Sequence, residues 1–97
     1  MSVSEPLPPF TDQEYNRSFW AMIFGEMIRG CRESIDRSIE EAAVLANMET
    51  TRWIAMENSQ VPTTFDELDR VRAALDMTWF QMWDLMTICH PAFDLYS

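Results

Sequence analysis

Between Tyr15 and Ile35 apolar residues recur every three or four positions in two adjoining stripes. Tyr15, Phe19, Met22, Ile23 and Met27 form one, and Trp20, Phe24, Ile28, Cys31 and Ile35 form the other. The pattern predicts a long helix that runs to about Ser34. Its start is marked by Thr11 and Glu14, a capping-box pair, with Phe10 and Tyr15 at the positions of a hydrophobic staple. A helix with two apolar faces must bury both, one in its own core and the other against a second copy or a partner. Gly25 and Gly30 each cost about 1 kcal/mol relative to Ala inside a helix, so they mark a kink or a close helix contact.

Four shorter elements follow. Ser38 with Glu41 forms a second capping box, opening a short helix over Ala42, Ala43, Leu45 and Ala46. Asn47, which tolerates the left-handed conformation, ends it. A third helix begins near Glu49 or Thr50 and carries Trp53, Ile54 and Met56, and a polar loop spans Asn58 to Pro62. Thr63 with Asp66, or Thr64 with Glu67, caps a fourth helix bearing Phe65, Leu68, Val71 and Leu75. Asp76 or Thr78 opens a last, aromatic helix through Trp79, Phe80, Met82, Trp83, Leu85, Met86 and Ile88, which Pro91 ends. No strand signal and no repeat appear. The expectation is an all-α domain over 11–97, preceded by a disordered tail over 1–10 that carries Pro6, Pro8 and Pro9.

Composition sharpens this picture. The 97 residues are 47% hydrophobic and 12% aromatic, enough for one domain with one core and too few for two. Arginines account for all seven basic residues, there is no lysine, and sixteen acids bring the net charge to −9. Such a chain repels a polyphosphate on average and favours basic or apolar partners. Cys31 and Cys89 have no metal-ligand spacing and His90 is the only histidine, so neither a metal site nor another cofactor is expected. No secretory pattern is present, and no apolar run approaches the roughly 20 residues of a membrane span. The expected setting is the cytoplasm, with both cysteines reduced.

Arg32, Ser38, Ala43, Asn47, Met48, Trp53, Glu57, Leu68, Val71 and Leu75 together resemble the Cro and phage-repressor (XRE-type) helix-turn-helix family. The resemblance covers about residues 32–77. It implies a five-helix, lambda-repressor-like fold. In that family an Arg closes the first helix and a Ser or Thr caps the second, as with Arg32 and Ser38. Ala43 matches the buried Ala of the second helix, Asn47 the turn, Met48 the apolar residue after it, and Glu57 the Glu that closes the recognition helix.

The departures fall where the family touches DNA. The Gln that often opens the second helix is Ile39, the loop Gly is Ser59, the loop Pro comes one residue early at Pro62, and a small core residue of the fourth helix is Arg72. The resemblance would point Glu49, Thr50, Thr51, Arg52 and Ala55 at the major groove, and only Arg52 among them is a strong base or phosphate ligand. From Arg37 to Met77 there are four arginines against eight acids, a net charge of −4, which leaves few charges to neutralise phosphates. Whether Arg37, Arg52, Arg70 and Arg72 converge on one basic face is open at this level.

Aromatic residues and methionines are dense on the first and last helices. They either complete the core or form a contact surface, since Trp, Phe, Met and Arg are enriched at interfaces and Lys is depleted. Trp20, Phe24, Met27, Trp79, Met82 and Trp83 are the expected contact residues. Glu40–Glu41 and Asp66–Glu67 are carboxylate pairs in first helical turns, where acids favour the helix dipole, and no nucleophile motif or phosphate-binding glycine loop appears, so an enzyme is not expected. The expectation is therefore a small transcription-regulatory protein acting by protein contact. It would be an anti-activator that binds a transcription factor, and a homodimer through its first helix. The alternatives are a DNA-binding repressor reading half-sites with Thr50, Thr51 and Arg52, and an acidic mimic of DNA.

Overall fold

The structure is a computed structural model that describes residues 12–95. The proposed tail over 1–10, the Thr11 cap and the Phe10 side of the staple lie outside the described residues. Five α-helices follow in order: α1 (Asp12–Ser34), α2 (Ile39–Leu45), α3 (Thr50–Glu57), α4 (Phe65–Ala74) and α5 (Trp79–Ile88). A 3-10 turn over His90–Ala92 closes the described chain, which contains no strand. The fold is all-α.

The caps form as the sequence predicts. The Ser38 hydroxyl accepts from the Glu41 amide at 3.0 Å while the Glu41 carboxylate accepts from the Ser38 amide at 2.8 Å. Thr78 and Gln81 make the same reciprocal pair at the start of α5, which selects Thr78 over Asp76. Thr64 accepts from Glu67 at the start of α4, which selects it over Thr63. Pro91 does not itself end α5, whose last helical residue is Ile88; the proline falls inside the 3-10 turn, where its missing N–H costs no helical bond.

Each of the first four helices ends in the same way without glycine. Asp36, Asn47, Ser59 and Asp76 take positive φ, between 52° and 91°. After each of them an amide reaches back five residues to the carbonyl three positions before the helix cap: Arg37 to Arg32, Met48 to Ala43, Gln60 to Ala55 and Met77 to Arg72. These are Schellman closures, and short polar side chains are the non-glycine residues that best tolerate the left-handed conformation.

The two stripes of α1 have separate fates. Phe24 and Ile28 are fully buried, with Trp20 and Cys31 partly buried beside them, so the second stripe enters the core except at its end, where Ile35 is exposed. In the first stripe Ile23 and Met27 pack against the core edge, while Tyr15, Phe19 and Met22 are exposed. The core also takes Ala42, Ala43, Trp53, Met56, Leu68, Val71, Met82 and Leu85, so all five helices contribute to one cluster. Gly25 marks a close contact: a Cβ there would lie 2.5 Å from the carbonyl oxygen of Glu57, because α1 crosses directly on the end of α3. Gly30 faces open space, and nothing in the packing explains it.

Beneath that crossing lies a buried ion pair. Arg32 donates from Nε to Glu57 Oε2 at 2.6 Å and from Nη2 to Oε1 at 3.1 Å. The Trp53 indole donates to the same Oε2 at 2.6 Å, and Arg29 approaches Oε1 at 3.5 Å. Burial by itself would raise the Glu57 pKa, but the bonds from Arg32 and Trp53 outweigh it and hold the carboxyl below its usual range. The Arg32 pKa is pushed up by the same bond, so both partners stay charged.

Candidate functional site

Two surfaces compete for the functional role, and the first is α3 with its neighbours. Thr51 is exposed at the start of α3, as a groove-facing role would require, whereas Thr50 is half-buried. Arg52 is not available in the same way. It donates from Nε and Nη2 to the two oxygens of Glu67, at 2.8 and 2.7 Å, and Nη2 also reaches the Val61 carbonyl at 3.2 Å. This bidentate pair fastens α3 to the first turn of α4. It raises the Arg52 pKa and, with the Thr63 amide, holds the Glu67 carboxyl below its usual range.

The other three arginines of the segment are engaged too. Arg37 donates to the Ala74 carbonyl at 2.6 Å and lies 3.4 Å from Asp76. Arg70 bonds the Ala46 and Asn47 carbonyls at the end of α2 while pairing with Asp66. Arg72 pairs with Asp69 and donates to the Met77 carbonyl at 2.9 Å, just as Arg32 donates to the Arg37 carbonyl at the end of α1. Arginines here close helix ends, where carbonyls lack partners and the dipole favours a cation. They do not converge on a free basic face. Around them the surface is acidic and aliphatic: Glu40, Glu41 and Glu49 are exposed, and so are Val44 and Leu45.

The second surface is the outer side of α5. Met82, Leu85 and Cys89 turn into the core, which leaves Trp79, Phe80 and Trp83 outside with exposures of 46, 87 and 61%. The three rings enclose a shallow hollow of about 240 Å³. The Arg72 guanidinium lies over Trp79, 5.2 Å from the ring centroid, so one aromatic face already holds a cation. Asp84 is exposed on the same side, one turn beyond Phe80, and makes no ion pair among the described residues.

The expected contact set is therefore revised. Trp79 and Trp83 stand together on one exposed face. Phe24 and Met82 are fully buried core residues and cannot meet a partner, because the inward phase of α1 and α5 is fixed by their neighbours Ile28 and Leu85. Trp20 and Met27 are partly buried against the core on α1. Phe80, the most exposed aromatic among the described residues, joins Trp79 and Trp83 on that face. The spacing of Met82, Leu85 and Cys89 carries the signal for it, because residues three and four apart share a face and that face excludes Phe80.

Elsewhere the chemistry is sparse. Cys31 and Cys89 are free thiols whose pKa values burial pushes up, which disfavours the reactive thiolate. Among the described residues no three His, Cys, Asp or Glu side chains come together as a metal would require. A cavity of about 490 Å³ between α1 and the α3–α4 loop is bordered by Arg17, Ser18, Arg52, Gln60, Thr63 and Asp94, with no histidine or cysteine among its lining residues. No described helix is long and apolar enough to cross a membrane. No family model, curated protein or solved structure matches the chain.

Proposed function

We propose that the chain is a small cytoplasmic regulatory protein that acts by protein contact, with the outer side of α5 as its contact surface. The observation that carries this is the exposed trio Trp79, Phe80 and Trp83 on a helix whose other side is locked into the core. Exposed tryptophan and phenylalanine supply large contact area at low entropic cost, since each has only two side-chain torsions. The engagement of Arg37, Arg52, Arg70 and Arg72 with carboxylates and carbonyls of the same chain weighs against binding a polyphosphate. The resemblance to the Cro and phage-repressor family supplies the class of process: a helix-turn-helix scaffold whose contact with DNA has been replaced by contact with a transcription factor, in the manner of an anti-activator. The outward stripe of α1, with Phe19 and Met22, suits a second copy of the chain.

Affinity capture of the protein from its host with a Trp83→Glu control tests this. The native chain should retain a transcription factor, and the variant should lose it while keeping its helical content and unfolding midpoint. Nanomolar binding to a DNA fragment from its own upstream region, weakened by Arg52→Ala, would overturn the proposal in favour of a repressor.

A further inference from the structure

Resting on that reading of α5, we infer that the segment it receives is basic as well as apolar: a stretch of another protein in which arginine or lysine flanks one or two bulky aliphatic side chains. Three observations on the same face point there. The hollow between Trp79, Phe80 and Trp83 takes an apolar side chain. On its rim Asp84, one turn beyond Phe80, is exposed and unpaired among the described residues. The faces of the exposed tryptophans attract cations, and the molecule itself uses this contact where Arg72 covers Trp79.

A second copy of this chain is a poor occupant of the same face. It carries no lysine and a net charge of −9. Six of its seven arginines are already within salt-bridge reach of their own carboxylates, at Glu26 or Glu57, Asp76, Glu67, Asp66 and Asp69. A copy seated on α5 would bring mostly like charges toward Asp84, or would have to break an internal pair. The chemistry therefore selects a foreign, cationic partner.

The test uses the full chain labelled for nuclear magnetic resonance and three short amphipathic helical peptides. One has leucines on one face with flanking arginines, the second has glutamine in place of each arginine, and the third keeps the arginines but replaces the leucines by serine. The arginine–leucine peptide is expected to shift the indole signals of Trp79 and Trp83 and to bind about tenfold tighter than the glutamine version. The preference should shrink as salt rises. Phe80→Ser should abolish the binding, and Asp84→Asn should reduce the preference for arginine. Equal binding of the leucine peptides with and without arginine would overturn this inference and leave the α5 contact surface standing. If the arginine–serine peptide binds as well as the arginine–leucine one, the attraction is charge alone and the inference fails. If no peptide moves the α5 signals and the chain instead self-associates through Trp83, both proposals fail.

Discussion

Helices α3 and α5 follow extended cap residues and each turns one side into the core, yet their remaining side chains are used in opposite ways. In α3, Arg52 is tied to Glu67 and Glu57 is buried against Arg32, so the polar groups are used to hold helices together. In α5 no charged side chain has a structural partner, and the aromatic rings of Phe80 and Trp83 stand in solvent. Around α3 the arginines are held by carboxylates and carbonyls of the same chain, whereas on α5 the aromatic rings are left outside. Residue type alone would suggest the reverse, with arginine outside and tryptophan inside. The contrast shows that a side chain's partners within the fold decide whether it is available for function.

The largest effect should come from the charged network. Arg32→Ala is expected to cost about 3–5 kcal/mol of stability, since it leaves Glu57 buried and uncompensated, as measured by urea denaturation. A cost below about 1 kcal/mol would mean that the pair behaves like a surface one, and the contrast with α5 would weaken. Acid should act on this pair and on Arg52–Glu67. Because Glu57 and Glu67 are held below the usual carboxylate range, their contribution is complete above the unfolded-chain value and is lost as pH falls through the folded one. The unfolding free energy should therefore fall on acidification, and Glu57→Gln should flatten that slope while lowering stability at neutral pH.

A smaller effect separates the two glycines of α1. Gly25→Ala should destabilise by about 1–3 kcal/mol, because the new methyl meets the rigid end of α3. Gly30→Ala should stabilise by up to about 1 kcal/mol, because the site is open and alanine is the better helix former. Thermal unfolding of the two variants side by side resolves the sign. The smallest change is expected at α5, where Phe80→Ser should stay within about 0.5 kcal/mol of the native chain. A loss as large as that of Arg32→Ala would show the ring to be part of the core.

Much of this architecture was legible beforehand because it is local. Ser38 with Glu41 and Thr64 with Glu67 are spaced for hydrogen bonds that form within a single turn, and Asn47 takes the left-handed conformation that its short amide tolerates. The separation of the two α1 stripes was visible too, although not which one would face inward. The candidate site was less legible. Trp79 and Trp83 look like Phe24 and Met82 in composition, and only the phase of each helix against its neighbours separates exposed rings from buried side chains.

By itself, then, the sequence determined an all-helical chain, the positions of its caps and turns, and an acidic balance, because helix periodicity, capping and charge depend on residues close together or merely counted. The tertiary structure decided which arginines are free and which aromatic residues are exposed. Arg37 finds the Ala74 carbonyl, Arg70 finds the end of α2, and Arg52 finds Glu67 only when distant segments are brought side by side. The availability of these arginines is a property of three-dimensional neighbours, because their partners lie far away along the chain.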